Sequence, residues 1–152
     1  MNLPVPDYLR FAFAEHWVTE TPGPPSNARI NEYLACVGLP PDDAIPWCMA
    51  AIAFCLKQTG YHIIESGLVA DWVDYMIKYG GVSHQHPRQW DLFLLHRQGI
   101  YSGLGHGGFY MGEDHNGVFL YGANQVNKWC VQPYDKFRTW TWFTPRKVKV
   151  VR

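Results

Sequence analysis

Apolar residues gather into helix-like runs over the first half of the chain and into short strand-like runs over the second. Asp7 is placed to cap a helix through "YLRFAFAEHWV", and "TPGPPSN" then breaks the chain with three prolines and a glycine. "ARINEYLACV" predicts a second helix, capped by Ser26 or Asn27 and stopped by Gly38. Beyond the loop "LPPDDAIP", a third helix starts at Trp47 or Cys48 and ends at Gly60. A fourth, "GLVADWVDYMIKY", follows Ser66 and closes at Gly80-Gly81. The texture then changes. "WDLFLLH", "GHGGFYMG", "GVFLYGAN" and "RTWTWFTP" are short, aromatic and β-branched, and separated by Gly, Asn and Asp. Helices first and strands second predict an α+β fold, with N-terminal helices packed on one face of a C-terminal antiparallel β-sheet. Residues 1–152 are read as one domain, the first 26 forming an arm of it.

Composition narrows this picture. With 152 residues the chain can bury a real core, and 47% apolar and 16% aromatic residues exclude a disordered reading. The formal charge is zero, so no basic field exists to hold nucleic acid and no acidic one to draw a cationic partner. No stretch reaches the roughly 18 to 20 apolar residues of a membrane span. "MNLPVPDYLRFAFAEHW" has neither a basic leader nor a long apolar centre. Synthesis in the cytoplasm without a signal peptide is the expectation, with no membrane as partner. Cys48 and Cys55 lie seven positions apart on one predicted helix, about 10 Å and beyond disulfide reach. Cys36 and Cys130 could pair only through a tertiary contact, so free thiols are expected.

Candidate chemistry starts at "IPWCMAAIAFCL". Pro46 is tolerated at a helix start, which puts Cys48 in the first turn, where unpaired N–H groups and the helix dipole favour a thiolate. Cysteine is also an ordinary buried residue. Position alone leaves both readings open. A nucleophilic thiol needs a base, and the base an orienting partner. "GHGGFYMGEDHNGVFLYGANQ" reads as a β-hairpin turning at "EDHNG". With the turn centred on His115, residues whose numbers sum to 230 face each other. His106 then stands beside Asn124, an amide able to fix its tautomer, and the Gly108–Gly122 pair leaves open space next to them. A register shift of one residue would separate the two side chains. Trp47, beside the cysteine, is the tryptophan placed at the site. His84 and His86, with His96 nearby in sequence, have the look of a metal pair, but no CxxC, HExxH or oxygen-rich calcium loop accompanies them, and a loop or surface role is the better reading. No metal and no cofactor is expected.

Together "IPWCMAAIAFCLKQTG" and "GHGGFYMGEDHNGVFLYGANQVN" resemble the papain-like cell-wall hydrolases related to the CHAP domain and its NlpC-type relatives. They are most similar to a small bacterial and phage family with a Pro-Trp-Cys helix, a Gly-His-x-Gly-Phe strand and a Gly-Gly-Asn-Gln strand end. "TETPGPPSNARINEYL" and "TWTWFTPR" extend the likeness over nearly the whole chain. The resemblance implies a papain-like fold, with Cys48 as nucleophile, His106 as general base and Asn124 as orienter. Trp47, Gln125, Gly105 and Gly108 would support the site or bind substrate. Asp91 falls where relatives have a Gly-Asp pair, with Trp90 in place of the glycine. Gly122 stands where some CHAP enzymes carry an acidic residue, and Ala123 departs mildly from "GGN". The implied activity is a peptidoglycan amidase or endopeptidase cutting an amide in or next to the stem peptide. A chain without a leader would reach the periplasm or wall as a phage lysin, a virion component or a secreted effector. An effector would travel with an immunity protein. Two alternatives stay open: a deamidase or transglutaminase-like toxin acting on protein glutamine, and a silent wall-binding or baseplate module.

Overall fold

The computed structural model describes residues 3–97 and 105–149. Four helices come first: α1 (Asp7–Ala14), α2 (Ala28–Cys36), α3 (Cys48–Gln58) and α4 (Val69–Tyr75), the last running into a π-helical turn at Met76–Gly80. Strands β1 (Gly81–Val82), β2 (Leu92–His96), β3 (Gly105–Asp114), β4 (Gly117–Gln125), β5 (Lys128–Tyr134) and β6 (Thr139–Pro145) follow. They form one antiparallel sheet in the order β1-β6-β2-β3-β4-β5. The α+β architecture read from the sequence is the one present.

Strand alternation sorts the sheet's side chains into two layers. Leu92, Leu94, Phe109, Tyr121, Ala123 and Phe143 join the main core with the helices. Phe93, Leu95, Tyr110, Val118 and Leu120 form a second cluster across the sheet. β2 is therefore buried on both faces, which explains its unbroken apolar run "LFLL". Helix α3 is apolar almost all round because it is central, packing on α1, α2, β3 and β4.

Local signals set most of the boundaries. Asn27 caps α2 by accepting from the Arg29 N–H at 2.8 Å, and Gly38 (φ 74) and Gly60 (φ 85) follow α2 and α3 in the left-handed region. Asp7 is not the cap expected of it. Pro6 is, and the Asp7 carboxylate accepts instead from Tyr61 Oη at 2.7 Å and pairs with Lys147 at 2.9 Å, tying α1 to the chain end. α1 also stops at Ala14, short of the predicted run to Val18. Glu15 turns inward there, paired with Arg29 at 2.6 Å and accepting from Tyr33 Oη at 3.1 Å.

Candidate active site

Cys48 is the first residue of α3, and the segments before it are braced from the N-terminal arm. The Asp43 carboxylate accepts from the Thr21 and Asn27 N–H groups, each at 3.0 Å, and these bonds hold it below the usual carboxylate range. The Trp47 indole donates to Glu20 Oε1 at 2.9 Å and stacks on Tyr33 with ring centres 6.0 Å apart. Trp47 is fully buried, so of the two roles expected of it, supporting the site or binding substrate, its position fits support. It fixes the helix start from behind.

Cys48 and His106, near the start of β3, line the same pocket, and the imidazole acts directly on the thiol. Burial by itself would push the thiol up. The charge of His106, its hydrogen bond, and the backbone N–H groups of Gly107 and Met49 together outweigh burial and hold Cys48 below the ordinary thiol value. The partner moves the opposite way. Burial pulls His106 down, but the Cys48 thiolate and the bonds to Cys48 and Gln125 raise it above the ordinary imidazole value. Both shifts run in the direction that favours a thiolate–imidazolium pair. Cys55, seven residues further along α3, is fully buried, and burial pushes its thiol well up.

His106 is oriented by Gln125, not Asn124. Its Nε2 lies 2.8 Å from Gln125 Oε1. The other end of that amide settles which atom is which, because Gln125 Nε2 donates to the Cys130 carbonyl at 2.6 Å and to the Leu120 carbonyl at 3.3 Å. A flipped amide would set an oxygen against two carbonyl oxygens. Oε1 is therefore the acceptor, His106 Nε2 carries a proton, and Nδ1 is the nitrogen left for the sulfur.

The correction at Asn124 has a definite cause. The register sum of 230 holds at Phe109↔Tyr121 and Tyr110↔Leu120, but a bulge near Met111 makes it 231 at the hairpin tip. A second irregularity lies between Gly122 and Gln125 on the β5 side, with Asn124 left-handed at φ 56. This bulge breaks the alternation, leaves Asn124 half-buried in the pocket lining and swings Gln125 inward, where it is 3% exposed. Gly122 makes the swing feasible: a Cβ there would sit 2.6 Å from Gln125 Oε1.

The other glycines serve packing. Space beside Gly108 is not open to substrate, since an added Cβ would meet Leu120 Cβ at 2.9 Å. At Gly107 it would meet Met49 Sδ at 2.4 Å, so this glycine lets α3 close on the strand. Gly105 does line the site. The histidines outside it are occupied elsewhere. His84 lies 3.1 Å from Thr144 Oγ1, and His96 stacks on Trp140 with centres 4.2 Å apart.

Two pockets meet at Cys48. One of about 390 Å³ is lined by Val37, Leu39, Ile45, Leu68 and Val69, with Glu65 and Ser66 at its polar end. The other, about 270 Å³, holds His106, Asn124, Gln125, Gln132, Tyr134 and Arg138. Pro46, Arg97 and Gly105 are common to both. Sequence reasoning missed Arg138 and Tyr134. Nothing in "QPYDKFRTW" marks them as neighbours of a cysteine 90 residues earlier.

Fold and site together have the form of a cysteine–histidine–amide centre on an α+β scaffold. Compared with family models, curated proteins and solved structures, the chain finds no match.

Proposed function

We propose that the protein is a papain-like cysteine hydrolase that cleaves amide bonds of peptidoglycan, in or next to the stem peptide. The observation that carries this reading is the relay from the Cys48 sulfur through His106 to Gln125 Oε1. A merely structural cysteine needs no lowered thiol, no facing imidazole and no amide dedicated to that imidazole. The substrate class rests on the resemblance of the Pro-Trp-Cys and Gly-His-Gly-Gly-Phe segments to wall hydrolases. Trp90 adds support. It stands where that family has glycine, and it holds φ 80, a conformation glycine adopts without strain.

The chemistry follows from the geometry. The Cys48 thiolate attacks the amide carbonyl, and the carbonyl π electrons move to oxygen. The Cys48 N–H is the first oxyanion donor, since a first-turn N–H has no intrahelical acceptor. Collapse of the tetrahedral intermediate breaks the C–N bond as His106 gives its Nδ1 proton to the leaving nitrogen. The thioester is then attacked by water, whose proton returns to His106, releasing a carboxylic acid and regenerating the thiolate. Throughout, Nε2 keeps its proton on Gln125.

Incubation with purified peptidoglycan and mass spectrometry of the fragments tests the reading. New amine and carboxyl ends at one bond, lost in Cys48→Ala, are expected. Binding without products would favour a silent wall-binding module, and a one-dalton gain on a protein glutamine a deamidase. Either result overturns hydrolysis.

A further inference from the structure

The two pockets differ in charge, and the direction of catalysis assigns them. His106 must reach the leaving nitrogen, and it lines only the polar pocket. The acyl part of the substrate therefore lies on the apolar side, among Leu39, Ile45 and Val69, and the amine departs toward Arg138.

Among the described residues, the lining on the departing side includes Arg97 and Arg138 and no carboxylate. Arg138 is held from one end: its Nε donates to the His96 carbonyl at 2.9 Å, and its guanidinium lies 5.2 Å from the centre of the Tyr134 ring. Among the described residues no carboxylate pairs with it. A stacked guanidinium with its terminal nitrogens unpaired is preorganised for a planar, two-oxygen anion. Glu65 on the opposite side would repel the same anion, so the site distinguishes its two ends.

We propose that Arg138 forms a carboxylate subsite, and that the substrate is an amide whose leaving amine bears a free carboxylate. This rests on the hydrolase reading for the direction of departure. The subsite itself depends only on Cys48 being reachable beside Arg138. The carboxylate is either the C-terminal group of the leaving residue or the free α-carboxylate of a residue linked onward through its side chain.

Iodoacetate and iodoacetamide alkylate the same sulfur and differ in one charge, so their rate ratio at Cys48 reports the subsite without any hydrolysis. In Arg138→Gln the ratio should fall about three- to five-fold, the scale of a half-exposed ion pair, while Arg138→Lys retains most of it. An unchanged ratio in Arg138→Gln overturns the proposal. Failure of both reagents to label Cys48 in the folded protein removes nucleophile and subsite together. Three synthetic peptides then locate the carboxylate: a free C-terminus, an internal γ-linked glutamate with free α-carboxylate, and an amide-capped control. Selective loss of kcat/KM in Arg138→Gln on one of the first two names the source, and equal loss on all three contradicts the subsite. No cleavage of any peptide, with the expected alkylation ratio, leaves the subsite standing and counts against the hydrolase reading.

Discussion

Replacing Gln125 by methionine removes the amide while conserving most of its volume, and it isolates the orienter. Oε1 accepts from His106 Nε2 at 2.8 Å whether the ring is neutral or charged, but the bond is stronger to the cation. A neutral hydrogen bond contributes about 1 kcal/mol net and one to a charged group about 1.5–3 kcal/mol. The difference, about 0.5–2 kcal/mol, centres on roughly one pH unit. The sign follows from the direction: Gln125 raises His106, so its loss brings the imidazole down. The imidazole signals of His106 followed by NMR should titrate about one unit lower in Gln125→Met than in the wild type, with apparent values read as belonging to the Cys48–His106 pair. The alkaline limb of the pH–activity profile, set by loss of the His106 proton, should move down with it. Asn124→Ala should leave that titration where it was. A shift in Asn124→Ala as large as that in Gln125→Met, or no shift in either, would refute the assignment of Gln125.

Brief iodoacetamide labelling followed by peptide mapping should modify Cys48 first and leave Cys55 untouched in the folded protein; labelling should slow as pH falls through the lowered Cys48 value, and equal labelling of both defeats the activated thiol. Cys48→Ala should abolish wall hydrolysis with little change in thermal midpoint by calorimetry, because removing one sulfur leaves only a small cavity. Gly122→Ala should act like loss of Gln125 without touching it, since the new methyl would sit 2.6 Å from Oε1, and a rate within two-fold of wild type would contradict that route. Trp47→Phe should lower stability in a denaturant melt by about 1–3 kcal/mol through the lost bond to Glu20, while leaving the alkylation rate of Cys48 near normal.

The sequence made the periodic parts of this molecule legible and lost the places where periodicity breaks. Helix α3 could be placed because Pro46 and Gly60 bracket an unbroken apolar run, and that alone put Cys48 in a first turn. The β3–β4 hairpin was readable from "EDHNG", and two of its register pairs fell where a simple sum puts them. Gln125 was named only as a neighbour of Asn124, because strict alternation points consecutive side chains to opposite faces and a bulge does not announce itself. An asparagine between Ala123 and Gln125 was the available hint, as Asn enters the left-handed region more readily than most residues. β5 was missed for a similar reason: "KWCVQPY" carries Pro133 and alternates weakly, and its place is set by pairing with β4. Trp47 was named on proximity alone. Nothing within its own segment reveals that Glu20, 27 positions earlier, captures the indole.

One asymmetry ties these points together. Cys48 and Cys55 share a helix, a residue type and near-complete burial, at 7% and 0% exposure, yet their thiols move in opposite directions. Burial penalises the charged form of both. Only Cys48 sits where the first turn leaves N–H groups unspent, and only Cys48 meets an imidazole whose far nitrogen is already committed. That commitment depends on Gln125, whose own position depends on two backbone carbonyls, a left-handed Asn124 and the missing Cβ of Gly122. Reactivity at the sulfur is therefore set in part by backbone geometry on β4, the strand beside that of His106. Substitutions on β4 and just past its end should tune it, in the order of how directly they displace the Gln125 amide: Gly122→Ala more than Ala123→Ser, and Ala123→Ser more than any exchange at exposed Val126. Measured as Cys48 alkylation rates at one pH, the reverse order would break the chain of cause between strand and thiol.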